Sequence, residues 1–472
     1  MTDGARAGLA GAARHAGAGA AYPITRHRGG DDIVARNGQF TATRDKFLRD
    51  TAALAARLPE RRYVINLCAD RYRFMVGFAA ALCRGQISLL PSSDAPGVLA
   101  AVAADYPDVF GLTDTPATVS FPVLAYPEHL PAAGAPPGVP AIPGNQPALI
   151  LFTSGSTGRP APVPKTWGVL VRSALAAGER LGLAEPAGGG RAGAGRAAAG
   201  RATLIGTVPH QHSYGLESTI MLGLQHGLAV HSGGLLYPAD IRAVLAAAPR
   251  PRVLVTTPVH LKALLAEPAD MPGADLILSA TAPLPEALAQ RAEACFGGEL
   301  IEIYGCTEAG QVATRRSARD SLWHCLEGVS LSLRGGGTWA SGAAVEGVAL
   351  LQDVIEPAGQ GRFHLVGRAA DLVNVAGKRA SLAHLNHQLL SIDGVRDGAF
   401  VMPEPDGGHV TRLAAVAVAP GLLPADILAA LRRLIDPAFL PRPLVMVADL
   451  PRNAVGKLPR AALLALLRGG GG

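Results

Sequence analysis

From Arg62 onward, short apolar runs bounded by turn residues alternate with longer stretches of helical periodicity, and that alternation leaves few architectures open. RYVINLC, ISLLPS, PALILFTSG, ATLIGTVP, RVLVTTP, DLILSA and ELIEIYG read as strands. RYRFMVGFAAALCRG, PGVLAAVAADY, TWGVLVRSALAAGERLGL, VHLKALLAE and PEALAQRAEACF read as the helices between them. Apolar strands separated by crossover helices pair in parallel, so the expected fold is α/β, with mostly parallel sheets covered by helices. After Gly310 short strands (VSLSLRG, VALLQDV, RFHLVG) surround Gly-rich turns and predict a small β subdomain. A smaller α+β unit follows from about Arg368. The expected division is an Ala/Gly-rich disordered tail over 1–21, a large N-terminal domain over 22–367, and a small C-terminal domain over 368–472. The run AGGGRAGAGRAAAG at 187–200 reads as a flexible insertion in the large domain.

Composition narrows the function classes. Lys+Arg 43 against Asp+Glu 37 leaves a net charge of +6, too mild a bias to argue for a nucleic-acid partner. No run approaches the roughly 18 apolar residues of a membrane span. The first residues lack the apolar core of a secretory signal, so a cytoplasmic location is expected. Five cysteines without a CxxC argue against a disulfide framework and a zinc site. The chain has five lysines, Lys46, Lys165, Lys262, Lys378 and Lys457, against 38 arginines among its 43 basic residues. A lysine kept where arginine serves almost everywhere else ranks as a candidate for a compact, mobile point charge.

Four motifs carry chemistry. Thr153-Ser154-Gly155-Ser156-Thr157-Gly158-Arg159-Pro160 follows the strand LILF and combines hydroxyls with glycines that let backbone N–H groups approach an anion. An ordinary polar turn fits it equally well when it is taken alone, and no GK[ST] closes it as a Walker A loop. Tyr304-Gly305-Cys306-Thr307-Glu308 ends the strand ELIEIYG, where open α/β sheets bind ligands. The third is spread over Asp353, Gly367-Arg368 and Gly377-Lys378-Arg379. The fourth is Pro451-Arg452-Asn453-Ala454-Val455-Gly456-Lys457-Leu458-Pro459-Arg460.

In this order and at these spacings the motifs resemble the adenylate-forming (AMP-binding) superfamily of acyl-CoA synthetases, aryl-acid ligases and peptide-synthetase adenylation domains. The resemblance implies joining a carboxylic acid to ATP with Mg²⁺, release of pyrophosphate, and passage of the acyl group to a thiol. It also implies a large AMP-binding domain followed by a mobile C-terminal one. Carried over residue by residue, Thr153, Ser154, Gly155, Ser156, Thr157 and Gly158 match the phosphate loop, with Lys165 nearby. Tyr304 matches the aromatic on adenine, Thr307 the hydroxyl at the α-phosphate, and Glu308 the Mg²⁺ carboxylate. Asp353 and Arg368 match the ribose-binding pair, and Lys457 the lysine that reaches the reacting phosphate and carboxylate. Three positions depart from the pattern, the first being Asn374, which stands where many relatives carry a lysine. Ala161-Pro162-Val163-Pro164 separates Pro160 from Lys165, and Ala370 stands where relatives carry the usual hinge residue.

Pro209-His210-Gln211-His212-Ser213-Tyr214-Gly215 falls on the segment that borders the carboxylate pocket in that family, with His212 at the residue that gates or lines it. Two histidines could also point to metal, but no partner at ligand spacing accompanies them. The segment lacks the aspartate with which amino-acid-activating relatives hold an ammonium group, so an aromatic or fatty acid is expected. INLCADRYRFMVGFAAALCRGQISLLP and LFTSGSTGRPAPVPKTWGVLV resemble the compact ligases of aryl-polyene and xanthomonadin-type pigment clusters. That resemblance implies an aromatic acid loaded on an acyl carrier protein, with free CoA as the alternative acceptor and a non-catalytic adenylate-binding homologue as the reading from another class.

Overall fold

The computed structural model describes residues 19–38, 40–130, 137–154, 160–184, 202–266, 270–335, 337–368, 372–375, 378–403, 412–452 and 458–469. The expected insertion at 187–200 lies outside them. So do most of the expected tail, Gly155 to Arg159, the Ala370 hinge position and Lys457.

The predicted alternation builds two large sheets. One runs, in spatial order, through Pro160–Thr166, Pro147–Ser154, Ile87–Leu90, Tyr63–Asn66, Val109–Thr113 and Val123–Ala125, all parallel except the first pair. The other has a parallel centre of Ile33–Asn37, Ala229–His231, Thr203–Gly206, Arg252–Thr256, Leu276–Ser279 and Glu299–Cys306. Antiparallel strands extend it at both ends, through Gly310–Arg315, Trp323–Cys325, Arg362–Arg368 and Asp353–Pro357 on one side and Phe40–Thr43 on the other. Ala21–Pro23 pairs with Ala141–Pro143, so the chain is already paired at the last residue of the expected tail.

Two helices lie between the sheets and are apolar nearly all round for that reason. Arg71–Cys83 starts on Asp70, whose side chain accepts the Arg73 amide, and buries all but its last residue and Arg73. Trp167–Arg180 packs on it through Trp167 and Phe78, whose ring centres are 6.2 Å apart. Phe74, Phe78 and Trp167 are all essentially without solvent exposure.

Several strands were not foreseen, among them Ile33–Asn37, Val109–Thr113, Ala229–His231, Gly310–Arg315 and the edge strand that carries Lys165. Pro160–Thr166 forms a hairpin with Pro147–Ser154 and is the edge of its sheet. Pro160, Pro162 and Pro164 alternate along it, and an edge strand tolerates them when their missing N–H groups face away from the partner. Their period of two leaves Ala161, Val163 and Lys165 to pair inward, opposite Thr153, Leu151 and Leu149.

Beyond Arg368 the core residues form clusters of their own. Val373, Leu385, Leu389, Phe400, Ile427 and Leu431 make one, and Val401, Val416, Leu450 and Leu463 another. They join the sheet Asp397–Val401, Ala414–Val418 and Leu444–Met446 to the helices Leu382–Leu390, Pro424–Leu434 and Arg460–Gly469. No helix of the described residues is long and apolar enough to cross a membrane.

Because Phe78 fills the seam between the two sheets, Phe78→Ala should lower the unfolding free energy by about 3–5 kcal/mol. Denaturant melts read at the buried tryptophans check this, and a loss under about 1 kcal/mol would mean that the layer closes around the gap.

Candidate active site

Glu299–Cys306 carries the aromatic end of the site to the C-terminal edge of the parallel strands, where ligands bind in open α/β sheets. Tyr304 is buried between Trp323 and Phe363, with ring centres 5.5 and 5.8 Å away. Its hydroxyl donates to Asp353 Oδ2 at 2.9 Å. Asp353 in turn sits directly across the strand pair from Arg368. The expected adenine aromatic and ribose pair therefore converge, although the sequence separates them widely. Gly305 is required by a close backbone approach, since a Cβ there would lie 2.2 Å from the Gly310 carbonyl oxygen.

Thr307 and Glu308 occupy the turn after this strand, Thr307 half-exposed and Glu308 exposed. An exposed carboxylate beside hydroxyls is a hard oxygen donor of the kind Mg²⁺ takes with phosphate ligands, so these residues fit that ion. Thr153 and Ser154 close the strand Pro147–Ser154, which pairs with Pro160–Thr166. Gly155, Ser156, Thr157 and Gly158 lie outside the described residues, as does Lys457.

Lys165 sits deep inside. It is buried, and its Nζ donates to the main-chain carbonyl of Glu308 at 2.6 Å. Burial pulls the ammonium below its ordinary range, opposed by the carboxylates of Glu217 and Glu346. Glu346 accepts both the amide and the hydroxyl of Thr166, at 2.8 and 3.0 Å. Glu217 accepts the Ser213 hydroxyl at 2.7 Å and the Gln311 amide at 3.0 Å, and burial pushes its carboxyl up. Sequence reasoning missed Glu217 and Glu346. A carboxylate inside the apolar run LESTIMLGL was the available signal for the first.

The two histidines of the pocket segment separate. His210 is buried edge-on against Phe74, and its Nε2–H donates to the Cys68 carbonyl at 2.9 Å. His212 lines a small cavity with Val208, Pro209, Tyr214, Gly215, Thr257, His260 and Thr281. Arg71, fully buried, holds this wall by donating to the carbonyls of Gly206, Val208 and Gly233. Gly215 is needed there, because a Cβ would lie 2.0 Å from the Pro209 carbonyl oxygen. Among the described residues no three His, Cys, Asp or Glu side chains gather as a metal site.

Burial lowers the His210 ring to about 3. Between that value and about 6.5 the unfolded chain takes up a proton that the folded one refuses, so His210 makes stability fall as pH falls. His210→Gln, which keeps a donor for the Cys68 carbonyl, should flatten the pH dependence of unfolding between pH 4 and 6 by about 1.4 kcal/mol per pH unit. Denaturant midpoints of both proteins across that range test it; parallel curves would refute it.

Comparison with known proteins supplies context for this geometry. The family model for AMP-binding enzyme matches residues 58–331. A 4-coumarate–CoA ligase of Rhodobacter capsulatus is 31% identical over 251 residues, which are 52% of this chain and 58% of that enzyme. The chain thus matches little more than half the length of that relative. Among solved structures, ATP-bound MatB from Rhodopseudomonas palustris superposes with a TM-score of 0.78 at 19% identity, covering 93% of this chain and 96% of that one. The o-succinylbenzoate CoA synthetase MenE of Bacillus subtilis, in complex with its acyl-adenylate intermediate, gives 0.75 at 19% identity over 91% and 95%.

Proposed function

The chain belongs to the AMP-binding enzyme family, the adenylate-forming ligases that work with ATP and Mg²⁺, and from that premise we propose that it activates an aromatic carboxylic acid as its acyl-adenylate and passes it to the phosphopantetheine thiol of an acyl carrier protein. The observation that carries the acid class is the cavity at Val208 to Gly215, which offers no carboxylate among its described lining residues. An α-ammonium group buried there would go uncompensated, whereas a flat apolar ring meets Val208, Pro209 and Tyr214. Free CoA is the second reading of the acceptor, favoured by the name of the Rhodobacter relative.

Both reactants are anions, so the reaction depends on positioning and on neutralising charge. In this assignment Tyr304 stacks on adenine while Asp353 and Arg368 hold the ribose. Thr153 to Gly158 clasp the terminal phosphates and Thr307 donates to the α-phosphate. Glu308 holds Mg²⁺, which supplies charge neutralisation at the phosphates when bound. His212 borders the acid. Lys457 is assigned to the charge of the transition state, carried by residues 368–472 as a mobile unit whose separate core clusters support its moving as one body.

Pyrophosphate release over a panel of hydroxybenzoates, hydroxycinnamates, fatty acids and amino acids tests the acid; turnover with fatty acids alone would overturn the aromatic assignment. Acyl transfer to a phosphopantetheinylated carrier protein should exceed transfer to CoA, and the reverse order establishes the second reading. Lys457→Ala should abolish acyl-AMP formation while ATP affinity stays, because the lysine acts on the transition state and not on nucleotide binding. Adenylation within about threefold of the parent, well under 1.4 kcal/mol, would remove Lys457 from that role.

A further inference from the structure

The buried lysine points somewhere other than the phosphates. Lys165 is buried, and its Nζ donates to the Glu308 carbonyl at 2.6 Å. Glu308 itself is exposed, and its carboxylate acts on the Cys306 thiol and, more weakly, on the Lys165 ammonium. One residue is thus held from inside by its carbonyl while its side chain reaches the surface. Around the ammonium stand two carboxylates with partners of their own: Glu346, tied to Thr166, and Glu217, tied to Ser213 and to the Gln311 amide. Gln311 is the second residue of the strand Gly310–Arg315 that leaves the Thr307-Glu308 turn, and its side-chain amide donates to Ser218 at 3.0 Å. The hairpin of Pro147–Ser154 and Pro160–Thr166, the segment bordering the acid cavity and the Glu308 turn are therefore joined through one buried polar cluster. A fully desolvated ammonium is expensive unless its position matters, and here a methionine of similar length would fill the space without that penalty.

We propose that Lys165 is a positioning residue for Glu308, fixing the turn from beneath so that the carboxylate is held where Mg²⁺ binds. This rests on the assignment of Glu308 to Mg²⁺ made above. It separates Lys165 from a phosphate contact: a phosphate contact strengthens ATP binding with or without metal, whereas a support for Glu308 acts only through the metal.

The test is Lys165→Met, with Lys165→Met/Glu217→Gln beside it, since removing the ammonium alone strands Glu217 in the interior. ATP affinity is measured by calorimetry with and without Mg²⁺, and the Mg²⁺ requirement of acyl-AMP formation is measured separately. The expected result is an unchanged affinity for metal-free ATP, loss of most of the tightening that Mg²⁺ brings, and about a tenfold higher Mg²⁺ requirement. The double variant should behave likewise, which separates the effect from loss of the fold. Equal weakening with and without Mg²⁺ would make Lys165 a phosphate ligand and overturn the proposal; an unchanged Mg²⁺ response in the folded double variant would overturn it as well. Glu308→Gln distinguishes the two layers of inference. If that variant keeps its Mg²⁺ response, the metal assignment of Glu308 itself fails. If it loses the response while both Lys165 variants keep it, only the positioning role fails.

Discussion

Two sheets share one layer of helices, and the site is held by what that layer buries. Arg71–Cys83 and Trp167–Arg180 meet apolar surface on both sides, so neither can shift without opening a seam in two sheets at once. At close-packed density such a layer transmits displacement instead of absorbing it. The helix Trp167–Arg180 follows the hairpin of Pro147–Ser154 and Pro160–Thr166 without a break, and Arg71–Cys83 opens on the arginine that braces the cavity wall. The hydrophobic core therefore sets both the hairpin and the cavity wall of the candidate site.

Two buried cations hold main-chain carbonyls around the candidate site. Arg71 binds three carbonyls at the ends of neighbouring strands, and Lys165 binds one at the Glu308 turn. Strand ends and turns leave carbonyls without ladder partners, and a buried cation satisfies them while fixing their direction. Glu217 works in the opposite sense, taking the Gln311 amide that the strand Gly310–Arg315 leaves open. His210, by contrast, is a structural histidine, neutral and packed on Phe74, although the motif it shares with His212 looks symmetrical in sequence.

How much of this was legible depended on the range of the forces involved. The strands Tyr63–Asn66, Ile87–Leu90 and Leu276–Ser279 were readable because burial on both faces leaves a largely apolar run between turn residues. The convergence of Tyr304 with Asp353 came from family resemblance; no local pattern relates residues so far apart, and register across the antiparallel strands brings them together. The strand Pro160–Thr166 was hidden because proline counts against a strand until its position at an edge is known. Glu217 and Glu346 were hidden for a related reason. A carboxylate reads as solvent-exposed by default, and only the tertiary position of Lys165 reverses that.

The displaced lysine then finds a physical explanation. Lysines in phosphate loops act by reaching into solvent with a mobile charge, and a position directly after the loop suits that. Four residues farther along the strand, the same side chain starts from the sheet and not from the loop. There it is buried, and its length brings Nζ to the main-chain carbonyl of Glu308. Arginine could not be substituted at that spot without cost, because a planar fork is bulkier than the compact ammonium that the buried position holds against one carbonyl. In a chain that uses arginine for 38 of its 43 basic residues, this geometry gives a reason for keeping lysine at position 165.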